Sequence, residues 1–224
     1  MLDKVTKKEL KEPDFLQVAF RKTITLIVRH KTKLYIILTL LVLGVAITLG
    51  LHLYRLNYNK AALLIYNQVE ETLLRNSTTD TAKIIDGYKN VVSKYPASQS
   101  ALHALYKLGN IYFSTNQIDS SLKSYDEFLK KVSRDDYLKI FALTGKGYCY
   151  EAKKDFKNAL VSFDAALKIS GATMFEGQLH RDLGRIYEEM KDRKKSLEHY
   201  RKSLEKTTDP TMEMLIKRKI AELA

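Results

Sequence analysis

The sequence holds little that would break a helix: three Pro and nine Gly in 224 residues. Long helices therefore form easily and turns are few. A single cysteine, Cys149, excludes an intrachain disulfide and neither requires nor excludes an oxidising compartment. It reads as a small core residue rather than a reactive thiol. Trp is absent, and fourteen Tyr with eight Phe supply the large packing groups. Motifs that carry chemistry are missing too. His30, His52, His103, His180 and His199 show no metal-ligand spacing, and there is no H-E-x-x-H, no G-x-S-x-G and no dinucleotide fingerprint. Gly145-Lys146-Gly147 resembles part of a phosphate loop, but it lacks the upstream Gly and the following Ser/Thr and falls inside a predicted helix. Acidic neighbours such as Glu70-Glu71, Asp135-Asp136 and Glu188-Glu189 read as solvated surface. These absences predict no enzyme, no cofactor, no metal site and no small-molecule substrate.

What the chain has in excess is positive charge, a net +12. Residues 1–33 alone hold nine Lys/Arg against four Asp/Glu. Such a balance suits nucleic acid or anionic lipid, but no nucleic-acid recognition motif accompanies it, so no nucleic-acid partner is expected. The chain also has one long apolar run. Residues 34–51 are eighteen in a row without a charge, about 27 Å as a helix and close to the thickness of a bilayer core. Tyr35 and Tyr54 stand where interfacial aromatics belong. A buried core helix would show a polar face, and this run offers only two Thr.

A cleaved signal peptide is disfavoured by the length of the preceding segment, the length of the run and the lack of an A-x-A site after it. No Cys stands just after the run to carry a lipid. The run thus reads as an uncleaved transmembrane helix over 34–54. Arg21, Lys22, Arg29, Lys31 and Lys33 flank it on the N-side, against Arg55 and Lys60 on the other. The positive-inside rule then puts residues 1–33 in the cytoplasm and the rest outside it. Within that basic tail Leu16, Phe20, Ile24 and Ile27 recur at spacings of three to four. Two readings stay open: an amphipathic helix on the cytoplasmic leaflet, or a flexible tail with chance periodicity.

The last two-thirds of the chain repeat themselves. Three segments align on Leu108-Gly109, Gly147 and Leu183-Gly184, intervals of 38 and 37. Each Gly is followed by a Tyr three residues on (Tyr112, Tyr150, Tyr187), a small residue (Ser121, Ala159, Ser196) and an aromatic four beyond that (Tyr125, Phe163, Tyr200). This spacing predicts pairs of antiparallel helices. The Gly and the small residue let the two helices cross closely, and the aromatic packs on the first helix because residues four apart share a face. One hairpin cannot bury its apolar face alone, so the units stack.

A worn unit precedes them. Residues 80–96 place Ile84, Tyr88 and Val91 at the packing positions, and the helix leaving the membrane supplies Ala61, Ala62, Tyr66, Val69 and Leu73 as its partner stripe. Asn76–Thr79 is its turn, with Thr78, Thr79 or Asp80 available as N-cap. Asn76-Ser77-Thr78 also fits a glycosylation sequon, which carries little meaning in a bacterial protein. Asp209-Pro210 starts a final helix whose Leu215, Ile216, Ile220 and Leu223 would cap the stack.

This pattern closely resembles the tetratricopeptide repeat. It departs from it where Leu105, Leu143 and His180 replace the leading aromatic, where Lys146 precedes Gly147, and in a period a few residues longer than the usual ~34. The extra residues fall in turns around 134–137 and 171–176. The resemblance implies an all-α fold: one N-terminal transmembrane helix, then a right-handed α-solenoid. Residues 55–100 would form the linking helix and degenerate first repeat, 101–210 three full repeats and 211–224 a capping helix.

It also implies a protein-binding concave groove. Its candidate residues are His103, Tyr106, Asn110, Phe113, Phe141, Tyr148, Arg181, Arg185 and Glu188, with Thr144, Glu151 and Gln178 at matching positions. A groove of this kind suits an extended peptide or partner helix. The alternative is that its aromatics pack on neighbouring segments. The Lys/Asn clamp of chaperone-tail-binding repeats is not expected, because Tyr106 stands where its Lys would be. The whole layout is similar to the YfgM-like family of bacterial inner-membrane proteins. That likeness implies a periplasmic scaffold whose partners are translocon subunits, periplasmic chaperones or exported clients. A structural subunit of a secretion or pilus assembly is the competing expectation.

Overall fold

The computed structural model describes residues 15–75, 81–133 and 137–224. The predicted turn at 76–79 with its capping candidates, the sequon, most of the 134–137 turn and the first part of the basic tail lie outside these residues. The chain divides into two compact units between Asn57 and Tyr58.

In the first unit, α1 (Phe15–Arg29) and the start of α2 (Lys31–Arg75) are separated by His30 in a turn. The part of the basic tail from Phe15 to Arg29 is helical. Thr39 and Thr48 donate their hydroxyls back to the carbonyls of Tyr35 (2.8 Å) and Val45 (2.9 Å), so the two polar side chains of the apolar run satisfy themselves. Residues 34–57 are exposed throughout. A core helix of a water-soluble domain would have these Leu, Ile and Val side chains covered. Among the described residues α2 alone is long and apolar enough to cross a membrane.

The second unit is a stack of helical hairpins. The end of α2 pairs with α3 (Thr81–Lys94), α4 (Gln99–Ser114) with α5 (Ile118–Lys131), α6 (Tyr137–Ala152) with α7 (Phe156–Leu167), and α8 (Glu176–Glu189) with α9 (Arg193–Lys206); α10 (Pro210–Leu223) packs on α9. A short 3-10 helix, Ala172–Phe175, fills the turn before α8. Four of the helix starts have a side-chain cap. Ser98 accepts from the Ala101 N–H, Asp155 from Asn158, Asp192 from Lys195 and Asp209 from Thr211, and Pro210 opens α10 where its missing N–H costs nothing.

The turn inside each full hairpin is the same device three times. Asn116, Lys154 and Lys191 take left-handed φ values of 58°, 58° and 61°. The following N–H reaches back to the first helix: Gln117 to Tyr112 O (2.7 Å), Asp155 to Tyr150 O (2.8 Å), Asp192 to Tyr187 O (2.9 Å). No glycine supplies this conformation, and an L side chain held there costs about 1–2 kcal/mol. Lys191→Gly is therefore expected to stabilise the unit by about 1 kcal/mol and raise its thermal midpoint by roughly 3 °C. An unchanged or lower midpoint would show that the Lys191 side chain contributes more than the strain removes.

Core formation follows the repeat. A Cβ at Gly109 would sit 2.4 Å from the Tyr125 ring, and one at Gly147 2.5 Å from Phe163, so each Gly is a seat for the second-helix aromatic. At Gly184 the gap to Tyr200 is a looser 3.1 Å. Ser121 and Ser196 donate to the carbonyls of Gly109 (2.7 Å) and Gly184 (2.8 Å), tying the crossing points, while Ala159 leaves the middle crossing purely apolar. In the preceding hairpin Gly87 plays the seat for Val69. Tyr88, Phe128 and Phe163 are fully buried, each contributing about 1.5–3 kcal/mol by removal from water. Three apolar clusters run along the stack, each joining one hairpin to the first helix of the next. Cys149 is buried, with its Sγ 3.2 Å from Ser121 Oγ, and burial raises its thiol pKa. That placement fits the core reading, not a reactive thiol.

Candidate functional site

The first helices α4, α6 and α8 present one face along the stack, and it sorts the candidate residues into three places. Tyr106, Asn110, Phe113, Phe141, Thr144 and Tyr148 come together around a cavity of about 280 Å³, with Gln178 at its edge. The Phe113 and Tyr148 rings lie 6.4 Å apart, and Tyr106 leans on Tyr125 and Phe128 at 6.3 and 6.1 Å. Phe141 meets Phe175 edge-on at 5.0 Å. Phe113 and Phe141 remain 36% and 37% exposed, so the aromatic contacts leave apolar area for an incoming side chain to cover. Asn110 is engaged by the Tyr125 hydroxyl, which donates to its Oδ1 at 2.6 Å.

His103 lies apart from this cluster, edge-on to the Tyr66 ring at 6.2 Å and bordering a separate cavity of about 330 Å³ with Phe128 and Leu138. At the far end, the charged candidates are already partnered. Arg185 pairs with Glu151 and, at 2.9 Å, with Asp182, and its guanidinium lies 5.9 Å from the Tyr148 ring centre. Glu188 accepts from the Tyr200 hydroxyl (2.8 Å) and from Lys219 (2.9 Å), and Arg181 contacts the Met212 sulfur. The final helix thus engages Arg181 and Glu188 of α8.

Asp182 carries no signal in the repeat pattern, yet it joins two hairpins. It accepts from the Tyr148 hydroxyl at 2.7 Å and is only 3% exposed. One sequence sign was available: a carboxylate beside Leu179 and Leu183 on the buried face of a helix needs partners there. Burial pushes its carboxyl up to about 6, against the lowering effect of the Tyr148 hydroxyl and Arg181. Burial and the Asp182 charge push Tyr148 up to about 12. The sign follows. The folded carboxyl holds its proton more tightly than the unfolded one, so this stabilising term is complete below about pH 4 and lost as pH rises through about 6, up to about 3 kcal/mol. Asp182→Asn should flatten the stability profile across pH 4–6 relative to the parent. Parallel curves for the two proteins would show that Arg185 already offsets the burial.

Stacked hairpins held by Gly seats, with an aromatic cluster left partly open on the first-helix face, define an α-solenoid. Comparison with known proteins agrees at that level. Tetratricopeptide-repeat family models match residues 103–133, 142–173 and 182–205, the three full hairpins. Among solved structures the chain is similar to MamA from Desulfovibrio magneticus RS-1, at 20% identity and TM-score 0.58 over 72% of this chain and 82% of that one. It is similar to a tetratricopeptide repeat protein from Parabacteroides merdae, at 15% identity and TM-score 0.61 over 73% and 60%. It is also similar to PilF of Pseudomonas aeruginosa, at 16% identity and TM-score 0.56 over 74% and 72%. These likenesses establish the fold. No curated protein matches the chain at a significant level. Repeats of this type indicate binding to other proteins.

Proposed function

We propose that the chain is a membrane-anchored scaffold whose repeat domain works outside the cytoplasm, holding polypeptide against its first-helix face. The observation that carries this is the open aromatic cluster of Tyr106, Phe113, Phe141 and Tyr148 around its 280 Å³ cavity. Rigid aromatics that stay partly solvated lose little side-chain entropy when a partner covers them. The exposed apolar stretch of α2 supplies the anchor, and the basic flank at Arg21, Lys22, Arg29, Lys31 and Lys33 supplies the orientation. In this reading α2 spans a bacterial inner membrane, with the N-terminus cytoplasmic and the repeats periplasmic. The YfgM-like layout favours translocon subunits, periplasmic chaperones or exported clients as partners. A structural subunit of an envelope assembly is the second reading; the fold shared with PilF is compatible with it.

A photo-crosslinking side chain at Phe113 or Phe141 in native membranes separates the two. Adducts spread over many exported proteins fit the scaffold, one stoichiometric adduct fits the assembly subunit, and no protein adduct at either position removes the groove reading. Topology has its own check. A reporter active only outside the cytoplasm, fused after Ala224, is expected to be active, and cytoplasmic activity instead would overturn the orientation.

A further inference from the structure

α1 is a fifteen-residue helix of which the scaffold reading uses only the positive charge. It carries three basic side chains, Arg21, Lys22 and Arg29, and no acidic one. Successive residues turn by 100° on a helix, so Phe20, Ile24 and Ile27 fall on one arc while Arg21, Lys22, Thr25 and Arg29 fall on the other. The apolar arc has no cover: Phe20, Ile24 and Ile27 are 67%, 44% and 50% exposed. Thr23, on the apolar side, donates its hydroxyl to Ala19 O at 2.9 Å, and Thr25 likewise to Arg21 O at 2.8 Å, so neither requires water. His30 joins α1 to the apolar stretch of α2, its N–H donating to Leu26 O (3.1 Å) and its carbonyl accepting from the Leu34 N–H (3.0 Å). An uncovered apolar arc, an opposite arc on which Val18, Thr25 and Leu26 stand among charges that are all basic, and an adjoining span have one common complement: the surface of a bilayer rich in anionic headgroups.

We propose that α1 is an interfacial helix, with Phe20, Ile24 and Ile27 sunk into the acyl boundary and Arg21, Lys22 and Arg29 on the phosphates of anionic lipids. This rests on the membrane-anchor reading of α2. It gives the anchor a second, lipid-selective foot on the cytoplasmic leaflet. An apolar face of this size with only a few basic residues binds in proportion to both terms, so lipid charge decides how much of the time α1 is embedded.

The test uses the full chain carrying Cys149→Ser, reconstituted in nanodiscs of phosphatidylcholine alone or mixed with phosphatidylglycerol. Single spin labels are placed through Ile24→Cys, Ile27→Cys, Thr25→Cys and Leu43→Cys, and collision with oxygen (lipid) is compared with collision with a nickel chelate (water). In anionic discs the labels at 24 and 27 are expected in lipid and the label at 25 in water. Arg21→Gln and Lys22→Gln should each raise the water-exposed population at position 27 roughly fivefold, and removing phosphatidylglycerol should act in the same direction. If positions 24, 25 and 27 all sit in water while 43 sits in lipid, the proposal fails and the anchor stands. If 43 is in water, the anchor fails and takes the proposal with it. Shielding of 24 and 27 from both reagents would assign the face to a protein partner instead, and indifference to lipid charge would refute the anionic recognition.

Discussion

Phe163→Ala is expected to destabilise the repeat domain by about 3–5 kcal/mol and to lower its thermal midpoint by roughly 10 °C. The ring is fully buried and sits in the cluster that joins Ile140, Ala166, Leu179, Leu183 and Ile186 across three hairpin elements. Tyr148 packs edge-on against it at 5.4 Å, so the cavity left behind would also loosen a wall of the candidate groove. The lost transfer energy and the unfilled volume act in the same direction. Circular dichroism of the full chain in detergent, followed against temperature, gives the answer. A midpoint within a few degrees of the parent would show that this aromatic is not the keystone of its hairpin.

Gly147→Leu attacks the same contact from the opposite helix and should cost about 3 kcal/mol. Leu is the better helix former by most of a kcal/mol, so propensity alone predicts stabilisation. Sterics wins because the first added carbon would stand 2.5 Å from a Phe163 ring that is itself boxed in. The three repeat glycines read as equivalent in the sequence, but the structure ranks them. Gly184→Leu should be milder, since the added carbon meets Tyr200 at 3.1 Å rather than at 2.5 Å. Equal losses at the two positions would contradict the ranking, and no loss at Gly147 would refute the crossing point. The pair Gly147→Ala with Phe163→Leu should lose less than the sum of the singles, because the smaller ring replacement makes room for the methyl.

The spacing of Gly, Tyr, small residue and aromatic was enough to place the three hairpins, because that pattern encodes the helix crossing itself. Ile84, Tyr88 and Val91 likewise marked α3, and Asp209-Pro210 the start of α10, through patterns confined to one or two turns of chain. Where sequence reasoning fell short, the causes were contacts between hairpins and turns that no Gly marks. Gly145 has no place in the repeat pattern; it makes room for the Tyr125 hydroxyl of the previous hairpin, where a Cβ would stand 2.6 Å from that oxygen. The left-handed turns at Asn116, Lys154 and Lys191 escaped notice because none is a Gly, the one residue that advertises such a turn. Asp182 escaped because its partners are 34 residues upstream and three downstream, on two different helices. The candidate groove residues lie on the first helices α4, α6 and α8, but their division into an open aromatic cluster and a neutralised charged end depends on Phe175, Met212 and Lys219, which no repeat position announces.

Each apolar cluster reaches no further than the next hairpin, and this decides how damage spreads. In an array bound only to its neighbours, a flaw near an end frays that end, whereas a flaw at the centre parts the array in two. The Gly147–Phe163 crossing stands at that centre. Rupture there would leave two separate bodies, one ending at α5 and the other running from α8 to α10, joined by a flexible leash.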